Sequence, residues 1–197
     1  MAAPQKSLQE MSLRELWALF PIILTEHNPS WQDWYEDEKV ALIQALPAND
    51  VVRISHISST AVKGIWAKPI VDILLEVAKG TDLQEIKNII TQTGYLCMAE
   101  KGSRMSFNKG YTLQGFAERV FHLHLRYAGD HDELYFRDYL QTHEVVAKEY
   151  EQLKKSLWQI YEHDRDAYTE HKTDFIRRYT DQAKLLFAGR YEGDFSV

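Results

Sequence analysis

One carboxylate interrupts an apolar run in the first half of the chain. The run IVDILLEV, from Ile70 to Val77, is typical of a strand that is covered on both faces, yet it contains Asp72. A buried carboxylate must be paired, hydrogen-bonded, metal-bound or protonated. Two interpretations stay open: Asp72 lies at an exposed strand end, where it caps a loop or pairs with Arg53 or Lys68, or it binds a divalent cation at the working edge of a sheet.

Two histidines form the second candidate group. His122 and His124 lie in the alternating run RVFHLHLR, which predicts a strand. Residues two apart on a strand share a face, with Cα atoms ~6.5–7 Å apart, which suits two ligands of one metal or a ligand and an acid–base group. The alternative is a half-buried pair that hydrogen-bonds its neighbours. Four further histidines lie in the C-terminal third, which is predicted to be helical, and they are expected to be solvated on its surface: His131, His143, His163 and His171.

A hydroxyl-rich turn precedes the apolar run. Ser58, Ser59 and Thr60 could cradle phosphate oxygens with their hydroxyls and backbone amides, although such residues are common in any turn. Lys68 and Arg104 are basic residues that could face the phosphate. The sequence contains no Walker A motif, no GxGxxG and no GxSxG, so the usual phosphate-binding and hydrolase signatures are absent.

Periodicity and capping signals predict the elements that position these residues. Ser12 and Glu15 form a capping box at the first helix, Ser30 is a candidate N-cap of the second, and Asp82 caps the third. The predicted strands are 51–56, 70–77, 95–100, 104–108 and 119–126. The predicted helices are 12–20, 30–46, 82–93, 132–141, 145–161 and 164–188.

Length and composition indicate one domain. The 197 residues have 45% hydrophobic and 26% charged side chains, one cysteine and a net charge of −6, which argues against non-specific nucleic-acid binding. Neither a signal peptide nor a membrane span is predicted, so we expect a cytoplasmic protein. The predicted fold is α+β, with a mixed β-sheet core flanked by helices and a helical C-terminal third. Residues 1–197 divide into an N-terminal helical extension (1–20), a helix and sheet core (21–128) and C-terminal helices (129–190).

Several sequence blocks resemble the GrpB family. They are RISHISSTAVKGIWAKPIVDILLEV, FHLHL, LYFRDYL and DRDAYTEHKTDFI, and the resemblance covers roughly Pro21 to Ala183. It implies the nucleotidyltransferase fold, whose motif is a Gly-Ser turn followed by Asp-x-Asp on a strand, with a third carboxylate from a later strand. By this resemblance Ser59 matches the motif serine and Asp72 the first aspartate.

The chain departs from that motif at three places. Ser58 replaces the glycine, Leu74 replaces the second aspartate, and the later strand offers His122 and His124 instead of an acid. Glu76 lies ~13 Å along the strand from Asp72, too far to share a pair of ions ~4 Å apart. Asp72 with two histidines suits a single zinc or manganese ion better than a magnesium pair.

The resemblance leads to two functional hypotheses. The first is a divergent metal-dependent nucleotidyltransferase or phosphoryl-group enzyme that acts on a nucleotide. Its catalytic residues would be Asp72 and Ser59, and its divalent ion (Zn, Mn or Mg) would bind Asp72, His122 and His124. The phosphorylated substrate would be bound by Ser58, Thr60, Lys68 and Arg104. The second is a catalytically inactive ligand-binding or partner-binding module, for which the resemblance suggests a link to coenzyme A synthesis. An unrelated hydrolase with a metal-bound water is a third interpretation.

Overall fold

A five-stranded mixed sheet forms the centre of the molecule. The structure is a computed structural model that describes residues 6–192. The strands lie in the spatial order β1-β2-β5-β4-β3; β2 and β5 are parallel, and the other neighbours are antiparallel. The strands are β1 (Val51–Ile57), β2 (Val71–Val77), β3 (Leu96–Lys101), β4 (Arg104–Thr112) and β5 (Gly115–Tyr127).

Two helices precede the first strand along the chain, one lies between β2 and β3, and four form the C-terminal third. They are α1 (Leu13–Leu19), α2 (Ser30–Ala45), α3 (Leu83–Gln92), α4 (Asp132–Thr142), α5 (Glu144–Tyr161), α6 (Arg165–Glu170) and α7 (Thr173–Leu186). This arrangement confirms the predicted α+β class, with its mixed sheet and its helices toward the C-terminus. Within residues 6–192, every helix is too short or too polar to cross a lipid bilayer.

The two faces of the sheet have different surroundings. On one face, Val71, Ile73 and Leu75 of β2 are fully buried in a core with side chains of α2 and α3. Burying an aliphatic side chain of this size stabilises the fold by about 1.5–3 kcal/mol. A register slip of one residue would move Asp72 into that core, so the apolar face fixes the position of the carboxylate on the opposite face.

The last predicted helix is wrong as a single element. Residues 164–188 contain α6 and α7, separated at His171 and Lys172. The turn tightens there because the Lys172 N–H donates to the Thr169 carbonyl, three residues back, at 3.2 Å. The break places the Lys172 ammonium over the Tyr168 ring, 4.2 Å from its centroid.

Two smaller predictions also need correction. Ser30 is the first residue of α2 and not its N-cap; its N–H donates to Asn28 Oδ1 at 3.0 Å. The hairpin of β4 and β5 is longer than predicted because a register irregularity at Gly110, with φ +89°, lets pairing continue to Thr112. The capping box of Ser12 with Glu15 and the Asp82 cap are confirmed.

Candidate phosphate-binding site

Asp72, His122 and His124 meet on the open face of the sheet. Asp72 lies beside His122 in the parallel register of β2 and β5, and His124 follows two residues later on the same face. Asp72 Oδ1 is 3.2 Å from His122 Nδ1 and 3.6 Å from His124 Nε2. The predicted proximity of the histidines to the carboxylate is therefore present in the structure.

A chain of hydrogen bonds orients His122. The Tyr111 hydroxyl lies 2.8 Å from His122 Nε2 and accepts from Arg165 Nη2 at 3.2 Å. Burial lowers the pKa of His122, which favours the neutral ring. In that state Tyr111 donates to Nε2, and Nδ1–H donates to Asp72. Burial opposes ionisation of Asp72, but the hydrogen bond from His122 and the nearby His124 ring outweigh it and lower the pKa of the carboxyl group.

The three side chains do not form a prepared metal site. Within residues 6–192, no group of three or more His, Cys, Asp and Glu side chains has an arrangement that could bind a metal ion. Asp72 Oδ1 is shared between His122 and His124, and cationic side chains surround the group. The predicted Zn, Mn or Mg ion stays a prediction.

The hydroxyl turn lies at the end of β1 and faces the same cavity. Ser58 has φ +62°, the only positive φ of a non-glycine residue in the described part of the chain. The nucleotidyltransferase motif that the resemblance implies would have glycine at this position, and glycine adopts such a φ without steric cost. The turn is supported by His56, whose Nε2 lies 2.9 Å from Thr60 Oγ1. Burial lowers the pKa of His56 to about 4, so that ring is neutral.

Cationic side chains from the helical third reach the turn. Lys154 of α5 donates to Ser59 Oγ at 2.9 Å and to the Trp66 carbonyl. Its side chain is only 3% exposed, and burial lowers its pKa to about 7. Burial likewise lowers the pKa of Lys68 to about 8 and that of Lys172 well below its ordinary value.

These residues enclose one cavity of about 320 Å³. Four cations line it, against two carboxylates, those of Asp72 and Glu133. Because crowded ammonium groups have lowered pKa values in such a site, a bound anion would stabilise their charged form. The hydroxyls and backbone of the turn offer hydrogen bonds to the same anion. The arrangement can bind a phosphate group. The cations are Lys68, Lys154, Arg165 and Lys172.

The cavity contains most of the predicted site residues. Those that line it are Ser58, Ser59, Thr60, Lys68, Asp72, His122 and His124. Arg104 does not: it forms a two-point ion pair with Asp130, at 2.7 and 2.5 Å, and lines a neighbouring cavity of about 450 Å³. The structure therefore separates Arg104 from the other predicted substrate-binding residues.

Sequence reasoning missed three of the four cations. Lys154 lies in none of the blocks that resemble the family, and Arg165 and Lys172 lie in the block DRDAYTEHKTDFI without any local pattern that marks them as ligand-binding residues. A signal was nevertheless available: Lys154 lies four residues after Tyr150 and three before Leu157, inside the apolar stripe of α5. A lysine at such a position is buried, and a buried lysine requires a partner.

Comparison with known proteins identifies the family. The GrpB protein family model matches residues 21–182. The chain is 34% identical over 161 residues to the glutamate-rich protein GrpB of Alkalihalophilus pseudofirmus, covering 79% of this chain and 91% of that protein. It is 28% identical to the UPF0157 protein YqkA of Bacillus subtilis, covering 95% of this chain but only 54% of that longer protein.

A solved structure supports the same conclusion. The crystal structure of conserved protein GrpB from Enterococcus faecalis superposes with a TM-score of 0.73 and 30% identity, covering 84% of this chain and 99% of that one. The matched residues 21–182 include the turn, Asp72, both histidines and all four cavity cations. This chain belongs to the GrpB family.

Proposed function

We propose that this protein binds the phosphate groups of a small phosphorylated molecule, a nucleotide above all, in the cavity around Asp72. The observation that carries the proposal is the convergence of three lysines, of which Lys154 and Lys172 are buried, and Arg165 on one cavity of about 320 Å³. Holding four cations against only two carboxylates costs free energy, as the lowered pKa values of the lysines indicate. A polyphosphate supplies the missing negative charge.

The turn and the lysines would act on the same phosphate. Lys154 spends two of its three donors on Ser59 and Trp66, which fixes its ammonium beside the turn and leaves one donor for the ligand. Lys68 and Lys172 flank the Tyr168 ring from 5.6 and 4.2 Å, which limits their rotamers. Preorganised cations of this kind bind a phosphate with little ordering cost.

Asp72 separates the binding proposal from the catalytic hypothesis. Without a metal, its negative charge repels a phosphate, and the Asp72→Asn variant should bind nucleotides more tightly. If a divalent ion bridges Asp72 and the ligand, as a phosphoryl-group enzyme would require, the same variant should lose metal-dependent binding. The sign of the change in affinity decides between the two.

Calorimetric titration at pH 6.5 tests the proposal with ATP, dephospho-coenzyme A and inorganic tripolyphosphate, each with and without Mg²⁺, Mn²⁺ or Zn²⁺. We expect metal-independent binding that weakens about tenfold or more in Lys154→Met, because a charge-assisted hydrogen bond is lost. Lys155→Met is the matched control, since Lys155 pairs with Glu151 outside the cavity. The proposal is overturned if the wild-type protein binds none of the three ligands, or if both variants lose affinity equally.

A further inference from the structure

A second, apolar cavity opens beside the phosphate-binding one. This apolar groove encloses about 610 Å³ between the N-terminal segment 8–20 and strands β3 and β4. It shares His122, His124, Arg165 and Thr169 with the phosphate-binding cavity, so the two are continuous. A ligand with phosphates in one cavity can extend an adjoining group into the other.

The N-terminal segment forms a wall of the groove. Helix α1 has no buried residue, and Leu13 is 62% exposed, so this helix contributes little to a core. Its end is nevertheless anchored, because Phe20 is 3% exposed and its ring lies 4.7 Å from that of Tyr111. Leu16 and Trp17 line the groove. The segment precedes residue 21, where the GrpB family match begins.

The floor of the groove carries hydrogen-bonding groups. Asn108 lies opposite His122, and Ser106 opposite His124, in the register of β4 and β5. Both side chains line the groove from the face that carries Asp72. His124 Nδ1 is buried with no hydrogen-bond partner among residues 6–192. A buried unpaired nitrogen costs about 1–3 kcal/mol unless a ligand or water satisfies it.

We propose that the apolar groove binds the nucleobase of a nucleotide whose phosphates occupy the cavity around Asp72. This inference rests on the proposed function and specifies its ligand. An apolar and aromatic wall favours a flat ring, and polar groups on the floor suit the edge of a heterocycle better than an alkyl chain. The N-terminal segment, which lies outside the family match, is then a determinant of base affinity in this chain.

Substitution of Trp17 in the full-length protein tests the inference. We expect Trp17→Ala to weaken ATP binding about tenfold through loss of an aromatic contact with the base, while tripolyphosphate affinity stays unchanged. Trp17→Phe should restore most of the ATP affinity. Arg14→Ala is the matched control on α1, because Arg14 is exposed and does not line the groove.

Three results would overturn the inference, and they differ from one another. If wild-type protein binds tripolyphosphate and ATP but Trp17→Ala changes neither affinity, the apolar groove does not bind the base, while the proposed phosphate site is unaffected. If decyl phosphate binds more tightly than ATP and loses more affinity in Trp17→Ala, the groove binds an alkyl chain. If wild-type protein binds none of the three, the proposed function fails together with the inference. Unchanged tripolyphosphate binding also shows that the variant is folded.

Discussion

Asp72 and Glu76 are carboxylates on the same face of β2, four residues apart, with different surroundings. Glu76 is fully buried and accepts hydrogen bonds from Arg53 Nε at 2.6 Å, His131 Nδ1 at 2.8 Å and the Gly129 N–H at 3.2 Å. The side chain of Asp72 is 22% exposed and contacts two histidines at the mouth of a cavity. One carboxylate is enclosed by its partners, whereas the other faces open space.

The difference lies in the balance of charge around each group. At Glu76 the partners match the carboxylate and bury it completely, although Arg53, Gly129 and His131 themselves line a separate cavity of about 1090 Å³. At Asp72 the cavity has more cations than anions, and burial lowers the pKa of its lysines. Arg53, which the sequence allowed as a partner of Asp72, pairs with Glu76 instead. A matched network maintains structure, while an unmatched one favours a ligand of the missing sign.

The largest expected effect is a loss of stability when Glu76 no longer carries the charge that its partners match. Glu76→Gln should lower the free energy of unfolding by up to about 3–5 kcal/mol, because it leaves the partly buried Arg53 guanidinium without its counter-charge. Denaturant unfolding measures the loss, with exposed Glu85→Gln as control. Tripolyphosphate affinity should not change in the folded variant. A loss no greater than that of the control would show that the Glu76 network is not a matched ion pair.

The second prediction concerns pH and the unmatched cavity. Lys154 has a pKa of about 7 when folded and about 10.5 when unfolded, so between these values the unfolded chain binds more protons. The stability of the unliganded protein should therefore rise with pH above 7, by up to about 1.4 kcal/mol per pH unit for this group. Tripolyphosphate affinity should fall over the same range, because the bound anion requires a charged lysine.

Thermal unfolding and titration between pH 7 and 9 measure both trends. Lys154→Met should reduce both slopes, since it removes the group that titrates. Lys155→Met, outside the cavity, should keep both slopes but displace them toward higher pH, because the charge of Lys155 contributes to the lowered pKa of Lys154. Stability and affinity that change in the same direction would contradict the assignment of the lysines to a phosphate site.

The sequence predicts the strands and the residues that share a strand face, but it misses the contacts between residues that are distant in sequence. Apolar runs predict the sheet, and the alternation around His122 and His124 places both rings on the face of Asp72. Partners distant in sequence leave no such pattern. His131 is predicted to be solvated but is 8% exposed, because its partner Glu76 lies 55 residues earlier. Lys154 reaches Ser59 across 95 residues, and nothing in either segment indicates that pairing.

The smallest expected effect is a change in stability caused by backbone conformation, at one residue near each end of the sheet. Gly129 has φ +99° where its N–H reaches Glu76, and Ser58 has φ +62° and ψ −164° at the cavity turn. That region suits glycine almost alone and costs other residues about 1–3 kcal/mol. Ser58→Gly should stabilise the protein by about 1 kcal/mol after the entropy cost of glycine, whereas Gly129→Ser should destabilise it.

Denaturant unfolding of both variants measures the two changes in the free energy of unfolding. Ser59→Gly is the control that should lose stability, because Ser59 has no positive φ and accepts from Lys154. If Ser58→Gly also loses stability, contacts of the Ser58 side chain outweigh the backbone strain, and the serine is part of the turn's binding surface.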